Sequence, residues 1–130
     1  MRWVEVFTVF LISHEVGDYL FQTEWQALNK RGGLRGTSQM RRALVSHVST
    51  YTLAFVPCLI WLWNSLHAGV FWVAAVIAIP HLIQDDGSLL TSYARIVKKA
   101  DLAANPALGQ SLDQAFHFVA LFLTALLVGR

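Results

Sequence analysis

The stretch WVEVFTVFLISHEVGDYLFQ, Trp3 to Gln22, decides how this chain is read. It is an apolar run near the ~20 residues a helix needs to cross hydrocarbon. Yet it contains Glu5, His14, Glu15 and Asp18. A charged side chain at the centre of a bilayer costs about 2.5–3.5 kcal/mol even on the most lenient insertion scale, so such residues point to function. The charges interrupting the run, and the lack of an Ala-x-Ala site after it, predict a retained helix rather than a signal peptide.

Working outward, three more apolar runs follow: Ala43–Asn64, Gly69–Gln84 and Leu112–Val128. Hydrophobic residues make up 55% of the 130 residues and charged residues 14%, with a mean hydropathy of +0.49. That balance predicts a membrane protein. Lipid offers backbone groups no partners, and four runs are too few to close a barrel, so the spans must be helical. The expected fold is all-α: a single domain over residues 1–130, polytopic, with four transmembrane helices in a bundle. The third and fourth runs are short, which tilt or local thinning accommodates. Cys58 is the single cysteine, which excludes a disulfide or a cysteine-based zinc site within one chain.

The connections differ in charge. The first carries Lys30, Arg31, Arg35, Arg41 and Arg42 around the breaker Gly32-Gly33. The second, NSLHAG (64–69), has neither Lys nor Arg; the third carries Arg95, Lys98 and Lys99. Within the third, SLLTSYARIVKKA (88–100) is amphipathic and is expected to form a short helix along the membrane surface. The positive-inside rule places the first and third connections in the cytoplasm. The implied partners are the bilayer and its anionic headgroups. No groove-reading or base-stacking motif accompanies the basic residues, so no nucleic-acid partner is expected.

On this map the polar residues fall at one depth. His14, Asp18, His47, His81, Asp85, Asp113 and His117 all lie toward the cytoplasmic side. His14/Asp18, His81/Asp85 and Asp113/His117 are each four apart, one turn along a single helix face. Gln22 continues the first stripe. ISHEVGD (12–18) and IPHLIQD (79–85) share Ile-x-His-x-x-x-Asp, which suggests two repeated helical hairpins. One intramembrane histidine is readily explained by a hydrogen bond to a neighbouring helix. Seven ionisable groups at one depth are better explained by a divalent cation that neutralises carboxylates and takes imidazole lone pairs. The seven are therefore the candidate ligands. A nitrogen and oxygen donor set without thiolate fits zinc first, with manganese, iron or nickel also compatible. Four His and three Asp exceed one tetrahedral shell, so one or two ions are expected.

Candidate catalytic residues are Asp18 and Glu15 as proton acceptors, with Gln22 and Gln114 orienting substrate or water. Glu15 stands in His-Glu-x-x-Asp, one residue from the His-Glu-x-x-His of zinc peptidases; the alternative is that it faces headgroups. His67, in the outer turn, reads as an ordinary loop residue. Asp86 points about 100° from Asp85 and reads as a cap or a contact to the basic loops. Pro57 is a candidate kink in the second run, and Pro80 a loosening of the third.

The set HEVGDYLFQTEWQALNK, His47, HLIQD and DQAFH resembles the small bacterial membrane proteins of domain-of-unknown-function family 3307. His14, Asp18, Tyr19 and Gln22 match the first element of its pattern, His47 the second, His81 and Asp85 the third, and Asp113, Gln114 and His117 the last. The resemblance implies a multi-pass protein of the bacterial inner membrane and carries no activity with it. A more distant similarity runs to membrane-bound metal-dependent hydrolases. The reading that results is a metal-dependent hydrolase acting on a lipid headgroup or other (phospho)ester near the cytoplasmic leaflet, with an intramembrane peptidase as a narrower variant. Its rivals are a metal-ion or proton transporter, which with so few helices requires a homo-oligomer, and a non-catalytic metalloprotein stapled by its ion.

Overall fold

Helix α1, Trp3–Glu15, runs into a π-helical segment, Val16–Phe21, without leaving helical backbone. In the computed structural model, which describes residues 2–130, the rest of the chain is also helical: α2 (Glu24–Asn29), α3 (Ser38–Ala54), α4 (Val56–Leu66), α5 (Gly69–Asp86), α6 (Ser88–Ile96) and α7 (Pro106–Val128). No strand occurs among the described residues.

Local chemistry sets the boundaries. Gln22 is extended, so the stripe expected from His14 through Gln22 ends at Asp18. Thr23 and Gln26 form a capping box that starts α2 inside the first connection, each side chain satisfying the other's backbone N–H. Thr37 caps α3. Asn105 caps α7, with Pro106 at its first position, where its missing N–H is no loss. The fourth helix thus begins six residues before the apolar run at Leu112. Gly87 adopts φ +81°, a left-handed conformation that glycine takes freely, and turns the chain from α5 into α6.

The second run is not one helix. It breaks at Phe55 into α3 and α4, bent by 55°, because Pro57 has no N–H to give to the Leu53 carbonyl. Pro80, by contrast, lies within a continuous α5. Among the described residues, α7 alone suffices by length and composition to cross a membrane; three spans are reached if α3–α4 and α5–α6, the latter bent by 62°, each count as one. The expected amphipathic helix after Gly87 is α6. Many large apolar side chains point outward, among them Ile12, Leu53, Ile60, Phe71, Trp72 and Leu127.

Helices α1, α3, α5 and α7 form the bundle: α1 packs on α7, α3 on α5 and α5 on α7. One end is a dry apolar core that includes Val6, Phe10, Phe55, Leu62 and Leu121. The other end holds the polar residues. Between them lies Tyr51, 1% exposed, its ring stacked on His81 with centroids 3.4 Å apart.

Candidate metal centre

Three elements deliver four ligand atoms to one point. The π segment supplies Asp18, α3 supplies His47, and one turn of α5 supplies His81 and Asp85. His47 Nε2 lies 3.2 Å from Asp18 Oδ1, 2.8 Å from Asp85 Oδ2 and 3.1 Å from His81 Nε2. His81 Nε2 lies 3.1 Å from Asp85 Oδ2 and 3.5 Å from Asp18 Oδ1. Zinc bonds of about 2.0–2.1 Å give a tetrahedron edge of about 3.3–3.4 Å, which falls within these separations. All four residues are buried, His47 completely.

The polar atoms there are poorly satisfied by the protein. Asp18 Oδ1, Asp85 Oδ1 and His117 Nε2 have no hydrogen-bond partner, and neither do His47 Nδ1, His81 Nδ1 or Gln22 Oε1. Such orphaned groups cost about 1–3 kcal/mol each. A cation among the Nε2 and carboxylate atoms relieves several of them at once.

Lys30, expected to face headgroups, instead brings its positive charge to the cluster. Its Nζ is 2.7 Å from Asp85 Oδ2, and the two side chains are 12% and 1% exposed. Asp86 explains how a loop lysine arrives there. Its carbonyl accepts from Gly32 N at 2.8 Å, and its Oδ1 accepts from Leu34 N at 3.0 Å. Asp86 thereby pins the first connection to the α5–α6 corner, the basic-loop contact expected of it. Arg31 runs close over Gly87 at that corner.

The second cluster contains Asp85, Asp113 and His117. His14 stands apart from both. Gln114 turns its Nε2 toward Asp113 Oδ2 at 3.4 Å, leaving its Oε1 to accept from His14 Nε2 at 2.9 Å. His14 Nδ1 then accepts from the Tyr51 hydroxyl at 2.9 Å. Both nitrogens are engaged in hydrogen bonds, and His14 falls in neither group of residues that could hold an ion. The two copies of Ile-x-His-x-x-x-Asp therefore differ: both aspartates enter the centre, but of the two histidines only His81 does. Glu15 is exposed and belongs to neither cluster. His67 is exposed in its turn, and Cys58 is a buried free thiol.

A cavity of about 590 Å³ reaches this centre. Asp18 and Asp113 line it from the metal side, with Gln22, Lys30, Arg31 and Gln114 around them. Tyr51 and Lys30 are the site residues that sequence reasoning missed. The Thr23-x-x-Gln26 capping box signals a helix starting inside the first connection, but nothing local to Lys30 announces its approach to Asp85. Tyr51 carried a weak signal, four residues after His47 on the same face.

The family model described as "Protein of unknown function (DUF3307)" matches residues 6–129. The chain belongs to this family. No curated protein matches this DUF3307 chain, and no solved structure does. Its buried His/Asp groups, able to hold a metal ion, are accordingly interpreted from their own geometry.

Proposed function

We propose that this protein is a membrane-embedded, metal-dependent hydrolase of a lipid-headgroup ester or phosphoester, working at the cytoplasmic face of the inner membrane. The observation that carries the reading is the convergence of Asp18, His47, His81 and Asp85, of which Asp18 opens onto a cavity whose wall bears Lys30 and Arg31. Zinc fits the two imidazoles and two carboxylates. Bound there, it would lower the pKa of a coordinated water toward about 7 and polarise the scissile group.

The protein's own residues divide the remaining work. Asp18 lines the cavity and would help hold the ion and accept the proton of the attacking water. Gln22 and Gln114 lie on the same wall and orient the substrate. Lys30 and Arg31 draw in the anionic group. Glu15 takes no part, which removes the basis for the peptidase variant. Membrane insertion is supported by α7 and by the two bent pairs, with α1 and its π extension as a fourth segment and the outward apolar side chains as lipid contacts. The basic residues of the first and third connections support a cytoplasmic orientation. Conduction is disfavoured because Phe10, Phe55 and Leu62 fill the far end of the bundle.

The test is turnover by detergent-purified, zinc-loaded protein on vesicles of bacterial phospholipid extract, read as released phosphate or headgroup. Wild type turns over and His47→Ala does not. Equal rates for the two would refute the proposal, as would a wild type that releases nothing.

A further inference from the structure

The two oxygens of Asp85 face different partners. Oδ2 is turned to Lys30, His47 and His81, at 2.7, 2.8 and 3.1 Å. Oδ1 is turned to His117 Nε2 at 3.3 Å. His117 Nδ1 lies 2.6 Å from the Asp113 backbone carbonyl. A carbonyl can only accept, so Nδ1 carries the proton, and a neutral imidazole then has its lone pair on Nε2. That lone pair points at a carboxylate oxygen. Both atoms are buried without a hydrogen-bond partner, on residues only 2% and 3% exposed. Two acceptors facing each other in a closed pocket repel unless a positive charge sits between them, either a second proton on His117 or a metal ion. Asp113 brings a further oxygen, within 4.8 Å of ligand atoms from both Asp85 and His117, and it opens onto the cavity.

We propose that Asp85 bridges two divalent cations. Its Oδ2 serves the ion held by Asp18, His47 and His81, and its Oδ1 serves a second ion held by His117 Nε2 and Asp113. The inference rests on the metal reading above and deepens it. Charge balance gives it a consequence for substrate. Asp18, Asp85, Asp113 and Lys30 sum to two negative charges, which one divalent ion neutralises. A second ion leaves the centre positive, beside a cavity that also carries Arg31. Hydroxide and an anionic phosphoester restore neutrality; an uncharged carboxylic ester does not. Paired ions about 3.5–4 Å apart are a recurrent clamp for in-line displacement at phosphorus.

The experiment counts ions and does not read turnover. Full-length protein, stripped with chelator in detergent, is titrated with Mn2+ under equilibrium dialysis and followed by electron paramagnetic resonance. Two equivalents per chain are expected, with a spin-coupled spectrum. His117→Gln and Asp113→Asn should each retain one equivalent with an isolated six-line signal. One equivalent or none in the wild type overturns the proposal, and so do two equivalents without coupling. Two equivalents retained in both variants overturn the assignment to His117 and Asp113. Should either variant fail to fold, the wild-type count and coupling still decide the matter. A coupled pair without phosphoester turnover would sink the hydrolase reading and leave the bridge intact; turnover with a single ion would do the reverse.

Discussion

Replacing Gly17 with alanine would put a Cβ 2.6 Å from Tyr51 Cδ2, 3.2 Å from Cγ and 3.1 Å from Cα. Carbon atoms in contact sit at about 3.5–4.0 Å, so close to 1 Å must be found. Tyr51 cannot give way. It is 1% exposed, stacked flat on His81 and bonded through its hydroxyl to His14, and one clash is with its backbone. The π segment must move instead, and Asp18 moves with it. Overpacking of this kind costs about 1–3 kcal/mol, and the higher helix propensity of alanine returns up to about 1 kcal/mol. The expected net loss is about 1–2 kcal/mol. Ligands must be held within about 0.5 Å to bind well, so zinc affinity should fall at least ~10-fold, about 1.4 kcal/mol. The assay is thermal unfolding in detergent by circular dichroism, with zinc affinity measured against a competing chelator. Gly69→Ala is the internal control, because its new Cβ meets only Leu66 Cβ at 3.5 Å; it should stay within about 0.5 kcal/mol of wild type. If Gly17→Ala matches that control in both measurements, the close approach of the π segment to α3 does not position Asp18, and the argument fails.

Four further outcomes follow from the same geometry. Chelation should lower the unfolding temperature, and zinc at a hundred times its Kd should restore about 2.7 kcal/mol; an unfolding curve indifferent to chelator would contradict a structural ion. Asp86→Ala removes the acceptor for Leu34 N and for the Ser88 hydroxyl, at about 0.5–1.5 kcal/mol each. Because it also frees the loop bearing Lys30, phosphoester turnover should drop with it, measured as phosphate release. Lys30→Met leaves Asp85 without its ion pair, and removing one partner of a buried pair costs about 3–5 kcal/mol. Zinc loading should recover much of that loss, and a melting curve unchanged in the metal-free protein would refute the pairing. Glu15→Gln, at an exposed position, should leave zinc affinity and turnover within twofold of wild type; a large drop in turnover would revive the peptidase-like base.

The helical class and most of the buried His/Asp cluster are legible in the residue pattern. Apolar runs near membrane length announce helices because lipid tolerates little else. The His81/Asp85 and Asp113/His117 spacings announce shared faces because a helix repeats about every 3.6 residues. Asp18 and His47 followed from lying at the same depth. These readings depend on period and hydropathy, which one chain carries by itself.

Long-range approach is not written in any period. His14 matches the repeated pattern as well as His81 does, yet Tyr51 from α3 and Gln114 from α7 occupy both its nitrogens. Lys30 looks like one surface charge among five until Asp86, 52 positions from Leu34, anchors its loop at the centre. The π segment lies against Tyr51 of α3 at Gly17, an approach that no period announces, whereas the break at Phe55 was readable from Pro57. Which ligands converge, and which side chains are consumed in holding them, is therefore settled by contacts between segments far apart in the chain. Each such contact is worth only a few kcal/mol and depends on ångström-scale fit that no local pattern encodes.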